Sequence, residues 1–307
     1  MTFRSIKNTA ASVRARLLEH AKQNDDDYQR ILTRYAIERL LFRLSKTESA
    51  DRYVLKGAML FLTWTQNAFR PTNDLDLLGH DSPEPVEIAL LFTRICQVEA
   101  FDDGITFDVS SLKVTPVREA NKYQGVQVTV KAILADARIH VQVDIGFGDH
   151  VHPLPARRYF PSLLADMPSA IVLMYPPETV VAEKFEAMIR FGEHNGRVKD
   201  FHDIWVIART FPFELGTLLQ AVRGTLTRRE TAMPQEMPVG LNHAFAAIVE
   251  QRGLWSGFLR RSPPTMLPPP FSELLADLRR FLGPVIAKLQ QADPEQRRWD
   301  PNRQAWI

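Results

Sequence analysis

The sequence predicts an α/β (α+β) chain: a mixed sheet flanked by helices, followed by a mostly helical C-terminal domain. Three observations predict it. Between residues 105 and 147, "ITFDVSSLKVTPV", "GVQVTVKAIL" and "ARIHVQVDIGFG" are rich in β-branched residues and bounded by Gly, Asn or Asp, as strands are. Ahead of them, short apolar strands alternate with helical periods. From Pro176 onward the strand signals fade and helical ones dominate. The expected division is N-terminal helices over 1–47 packing on the core, an α/β core over 48–160, and a helical C-terminal domain over 161–307.

Taken in order, residues 5–47 read as helical, with Asn24 and the Asp25–Asp27 run supplying a cap rather than a metal site. "RYVLKG" is a short strand entering a helix at Lys56-Gly57, "NDLDLLGH" a second strand, and "PVEIALLFTRICQVEA" has helical periodicity. In "ARIHVQVDIGFG", Ile139, Val141, Val143 and Ile145 face one way and His140, Gln142 and Asp144 the other. "PPETVVAEKFEAMIRFGEHNG" starts with Pro and ends before Gly, as a helix does, and "RVKDFHDIWVIART" is a second helix. "RRSPPTMLPPPF" is an extended connector, and the last helix, "FSELLADLRRFLGPVIAKLQQ", is expected to break or kink at Gly283-Pro284.

Composition narrows the class. The 307 residues are 45% hydrophobic and 24% charged, with a net charge of +2, which is ordinary for a globular protein. No apolar run reaches the roughly 18–20 residues that span a bilayer. The N-terminus lacks the pattern of a secretory signal. One cysteine, Cys96, excludes an internal disulfide or a thiolate metal cluster. The expected location is the cytoplasm. Arg pairs at 157–158, 228–229, 260–261, 279–280 and 297–298 read as solvated faces, so charge alone names no partner.

The informative stretch is "RPTNDLDLLGH". Asp74 and Asp76 are two apart in a strand, so both project to one face while Leu75 and Leu77 face the core. Two carboxylates so close repel, and a divalent cation removes the conflict. Asp144, on a polar strand face, supplies a third carboxylate if the strands are neighbours. That set suits Mg²⁺ (Mn²⁺ being the alternative) completed by substrate phosphates and water, and in-line displacement at phosphorus. Gly57 at a strand-to-helix turn lets backbone N–H groups hold a phosphate, with Lys56 as added charge and Thr72 as a hydroxyl. Arg70 reads equally as a phosphate contact or a surface residue. His140 reads as a polar strand position, and His150-Val-His152 has strand-pair spacing without a third zinc ligand. There is neither a nucleophile elbow nor a P-loop.

With those residues assembled, the chain resembles the DNA polymerase β-type nucleotidyltransferase superfamily, and more closely the AbiEii/AbiGii toxin family. The resemblance runs over roughly residues 25–210, through "YVLKGAMLFL", "RPTNDLDLLG", "VQVDIGFGD", "PETVVAEKFEAMIRFG" and "RVKDFHDIW". Family members usually carry Gly or Ser after the motif glycine. Ala58 stands there in this chain, leaving a backbone N–H contact but no hydroxyl.

The resemblance implies that Asp74 and Asp76 bind metal, that Asp144 helps activate the acceptor hydroxyl, and that Lys184 contacts the triphosphate. Lys199 and Asp203 would join the nucleotide site, with Asp203 or Asp200 alternatively orienting Lys184. Glu183 and Glu186 read as solvated or salt-bridging neighbours, and Asp149 and His150 as turn residues. The activity implied is Mg²⁺-dependent transfer of a nucleoside monophosphate from an NTP to a hydroxyl, on RNA such as the tRNA 3′ end or on protein. A separately encoded antitoxin, and a toxin–antitoxin or phage-defence role without membrane attachment, come with the family. Two other readings stay open: a non-catalytic GTP-binding interaction protein, and a nucleotidyltransferase acting on a small molecule such as an antibiotic.

Overall fold

The computed structural model describes residues 9–65, 71–99, 101–118, 124–291 and 296–307. The chain divides into two compact units. The first contains Thr72–Gly148 and Arg157–Met174 with the N-terminal helices; the second contains Asp149–Ala156 and Tyr175–Ile307.

The first unit opens with α1 (Thr9–Gln23) and α2 (Tyr28–Leu44). The break between them is where the acidic run lies. Asp25 adopts a left-handed backbone (φ 51°), and Asp27 caps α2 by accepting a hydrogen bond from the Arg30 N–H at 2.8 Å. Next come β1 (Tyr53–Lys56), α3 (Leu60–Thr65), β2 (Asp74–Gly79), α4 (Pro85–Gln97), β3 (Ile105–Arg118), β4 (Gln124–Leu134), β5 (Ala137–Phe147), β6 (Ala156–Phe160) and β7 (Ala170–Met174). Among the described residues the seven strands form one mixed sheet in the order β3-β4-β5-β2-β1-β7-β6. The β2–β5 and β1–β7 pairs are parallel; β1–β2, β3–β4 and β4–β5 are antiparallel.

Alternation decides which face is covered. Val126, Val128, Val130 and Ala132 of β4 are buried, as are Ile139, Val141, Val143 and Ile145 of β5. Helix α2 packs on β5 and β7, and α4 on β3. Burying β-branched side chains against helices is the main stabilisation here, at roughly 1.5–3 kcal/mol for each large aliphatic residue.

Helix α2 is buried almost all round, so it carries charges that must be partnered inside. Arg43 makes a two-pronged contact with Asp103, at 2.7 and 3.1 Å. Glu38 accepts from Arg39 at 2.5 Å, from the Ser162 hydroxyl at 2.5 Å and from the Leu163 N–H at 2.8 Å. Arg39 also donates to the Pro168 carbonyl at 2.8 Å. These bonds fasten the segment between β6 and β7 to α2. The sheet unit reaches Met174, because β7 pairs with β1.

The second unit is mainly helical: α5 (Pro177–Phe191), α6 (Val198–Thr210), α7 (Leu215–Arg228), α8 (His243–Gln251), α9 (Leu254–Arg261) and α10 (Phe271–Lys288). A small sheet joins β8 (Phe213–Glu214), β9 (Arg298–Asp300) and β10 (Ala305–Trp306) in the order β10-β9-β8. Helix α10 runs unbroken through Gly283-Pro284, so of the expected break or kink the break does not occur. The ring removes one N–H near the end of the helix, and buried Leu282, Val285 and Ile286 hold the turn in place. Among the described residues no helix is long and apolar enough to cross a membrane.

Removing one partner of a fully buried ion pair strands the other. Glu38→Ala is expected to destabilise the first unit by about 3 kcal/mol or more, read as a lower urea midpoint. Replacing Glu38 and Arg39 together by Met and Leu should restore much of that loss; equal stability of Glu38→Ala and wild type would contradict the pairing.

Candidate functional site

Strand pairing places the predicted carboxylates in transverse rows across the first unit's sheet. In one row Lys56 of β1 opposes Asp76 of β2, Asp76 opposes Asp144 of β5, Asp144 opposes Gln127 of β4, and Gln127 opposes Thr115 of β3. The next row contains Asp74, Gln142, Thr129 and Lys113. Register partners share a face, so Asp74, Asp76 and Asp144 lie on one side of two adjacent strands about 4.8 Å apart. Leu75 and Leu77 go to the other side and are buried.

Asp144 is fixed by two side-chain amides. Gln127 donates to its Oδ1 at 2.9 Å and Gln142 to its Oδ2 at 2.9 Å. Each oxygen keeps a further lone pair, so the carboxylate is oriented without being saturated. Behind Asp76 stands Gly57, with φ +72°. A methyl group built there would lie 2.6 Å from Asp76 Cγ and overlap its Oδ2. Glycine is therefore required twice, for its backbone angle and for the closeness of the carboxylate. Ala58 follows and is buried. Thr72 is partly exposed just before β2, and Arg70 lies outside the described residues.

The donors suit a hard cation, being carboxylate oxygens alone. Among the described residues no three or more His, Cys, Asp or Glu side chains form a ready cage for a metal. A cation here would be completed by substrate phosphates and water, as Mg²⁺ commonly is.

In the second unit, Lys184 of α5 is held by two carboxylates of α6, Asp200 Oδ1 at 2.8 Å and Asp203 Oδ2 at 2.8 Å. Both acids are fully buried, and Arg197 adds a bond to Asp200 at 2.6 Å. Burial alone would raise the Asp200 carboxyl; the charges of Lys184 and Arg197 outweigh it and hold it below the usual range. Lys199 is exposed on the same helix, while Asp203 turns inward to Lys184.

A second charged knot lies nearby in the same unit. Arg229 meets Glu186 at 2.9 Å, Asp149 at 3.1 Å and Glu183 at 3.5 Å. Of the two roles read for Glu186, solvated or salt-bridging, the structure shows the second: it is completely buried, pairs with Arg229, and also accepts from the Thr231 hydroxyl at 2.8 Å. Burial opposes the Arg229 charge, yet Glu183 and Asp149 push its pKa further up. Arg229 thus departs from the solvated role assigned to the arginine pairs. His150 packs so tightly on α7 that a methyl on Gly224 would overlap its ring.

Compared with known protein families, residues 39–277 match the model described as nucleotidyl transferase AbiEii toxin, type IV toxin–antitoxin system. The chain belongs to the AbiEii nucleotidyl transferase toxin family. Two solved structures are similar at low identity. One is a candidate nucleotidyltransferase from H. pylori: 14% identity, TM-score 0.49, covering 87% of this chain and 99% of that one. The other is JHP933 from Helicobacter pylori, also at 14% and 0.49, covering 86% and 95%. No curated protein matches the chain in sequence.

AbiEii membership makes the chain a nucleotidyltransferase-family toxin of a type IV system. Of the residues singled out from the sequence, Lys56, Gly57, Asp74, Asp76 and Asp144 are brought together on β1, β2 and β5. Lys184, Asp200 and Asp203 form their own cluster in the second unit. Gln127 and Gln142 were missed. Their signal was present, since both sit on the polar side of alternating strands, but which strand faces which was not legible.

Gly57→Ala is expected to cost about 1–3 kcal/mol of local strain and to displace the Asp76 carboxylate, measurable as a lower thermal midpoint; an unchanged midpoint would refute the close approach. A second outcome concerns pH. Because the folded Asp200 carboxyl is depressed below 3.8, its stabilisation is complete above that value and is lost as pH falls through the lower folded one. Asp200→Asn should therefore be less stable than wild type near neutrality and lose less on acidification, followed by thermal unfolding between about pH 6 and pH 2.5.

Proposed function

We propose that this protein transfers a nucleoside monophosphate from an NTP to a hydroxyl and releases pyrophosphate, acting as a cytoplasmic toxin restrained by a separate antitoxin. The observation that carries the reading is the row in which Asp76 and Asp144 face the same way on adjacent parallel strands, with Asp74 beside them and Gly57 against Asp76.

Each residue has a definite part. The backbone N–H groups of Gly57 and Ala58 and the Lys56 ammonium receive phosphate oxygens. Asp144, turned outward by Gln127 and Gln142, accepts the proton of the acceptor hydroxyl. The hydroxyl oxygen forms a bond to the α-phosphorus as the bond from that phosphorus to the β-bridging oxygen breaks, and pyrophosphate departs. Asp74, Asp76 and Asp144 would hold Mg²⁺, or Mn²⁺, which when bound neutralises the phosphate charge. Thr72 adds a hydroxyl beside the phosphates. Lys184, Lys199 and Asp203 enter through the family motifs, with Asp200 and Asp203 orienting Lys184 toward an anion. Most of the rate enhancement would come from positioning and charge neutralisation.

The acceptor favoured by the family resemblance is RNA, including the tRNA 3′ end, with protein hydroxyls second. Incubation with labelled NTPs, Mg²⁺, tRNA and lysate is expected to give metal-dependent transfer. Asp76→Ala should abolish both transfer and any growth arrest; an active Asp76→Ala would remove this carboxylate from the chemistry. Nucleotide binding without pyrophosphate release would favour a binding protein instead.

A further inference from the structure

The rows that contain the carboxylates continue beyond them. On the same face of the sheet, β5 presents Gln142, His140 and Arg138, β4 presents Gln127, Thr129 and Lys131, and β3 presents Thr115 and Lys113. Lys113, Thr115, Lys131, Arg138 and His140 are exposed, whereas the opposite face is the packed core. Three permanent cations therefore line an open surface that begins at the carboxylates. Two acids lie close to them: Asp136 is paired with Arg14 at 2.6 Å, while Asp108 stands opposite Lys131 in the β3–β4 register and offsets one of the three charges, leaving the basic residues in excess. From Asp144 to His140 is four residues of strand, roughly 13 Å, and to Arg138 roughly 20 Å. The surface is thus several nucleotides long, acidic at one end and basic along the rest.

The geometry points to this β3–β4–β5 face as the docking surface for the acceptor, and to the acceptor as a single nucleic-acid strand. Its terminal hydroxyl would meet Asp144, and its phosphodiester backbone would run over Lys131, Lys113 and Arg138. The inference rests on the transfer reading above. Charge complementarity and continuity with the carboxylates select this occupant. A protein acceptor is disfavoured because the face offers little apolar anchor, Ile133 and Val117 being only 39% and 38% exposed amid polar residues. Gln127 and Gln142 separate the basic residues from Asp144, so phosphates can approach without neutralising the proton acceptor.

The test measures binding and transfer separately. Fluorescein-labelled single-stranded RNA and DNA oligonucleotides are titrated with wild type and with the Lys113→Ala/Lys131→Ala/Arg138→Ala variant, without NTP, over a range of NaCl. Arg252→Ala, an exposed position in the second unit, is the control. The triple variant should bind about tenfold or more weakly near 0.1 M salt, with a salt slope smaller by about 2, since each lost phosphate contact to a single strand removes about 0.7. Tighter binding of RNA than DNA would identify a contact to the 2′-hydroxyl. In transfer assays KM for the acceptor should rise while KM for NTP stays constant.

Equal slopes and affinities for triple variant and wild type, or binding of neither oligonucleotide, would overturn the docking surface. Labelling of a protein alone would overturn it too. If wild type binds oligonucleotide through these residues yet transfers nothing to any acceptor, the transfer reading fails and the surface stands. If transfer proceeds and the variant's acceptor KM is unchanged, the surface fails and the reading stands.

Discussion

The parallel pairing of β2 with β5 is the constraint on which the candidate site depends. It sets Asp76 directly opposite Asp144 and so brings two like charges within about 5 Å. Such an arrangement is unfavourable in isolation, and the surrounding residues are disposed to tolerate it. Lys56 flanks Asp76 in the same row, two glutamine amides engage Asp144, and a glycine stands where any side chain would collide with Asp76. Register is specified on the hidden side: Leu75, Leu77, Val143 and Ile145 are all buried, and a slip by one residue would expose them and bury the acids. The core thus enforces an electrostatic conflict that these polar neighbours offset.

Both units bury charge, with different consequences. In the first, Glu38, Arg39, Arg43 and Asp103 fasten a helix to the segments around the sheet. Such pairs fix geometry more than they add stability, because desolvation offsets much of the attraction. In the second, Lys184 is drawn between Asp200 and Asp203 and retains some exposure. A lysine with two inward carboxylate partners has a restricted set of rotamers.

Much of the fold was legible because the local signals agreed. The alternation in β5, the Pro start and Gly end of α5, and the Asp cap of α2 each reflect a backbone requirement spread over a few residues. The two aspartates in "NDLDLLGH" were legible for the same reason, since period-two geometry alone places them on one face. What the sequence hid was non-local. Nothing within β4 announces that Gln127 will meet Asp144, since that depends on the β4–β5 hairpin register. Nothing local to Glu38-Arg39 shows that α2 is buried on nearly every side. That α10 would not break at Pro284 was not legible, because a proline signal is local whereas the packing that tolerates it is tertiary.

Arg229 carries a consequence for how the second unit holds its charge. It lies on the segment after α7, well past the quoted motifs, yet Asp149, Glu183 and Glu186 all converge on it. Without that guanidinium, three acids would share a poorly hydrated space, Glu186 keeping its contact with Arg190. A residue remote in sequence thus acts as the counterweight to acids on α5 and before it, and the knot balances only while a cation occupies that spot.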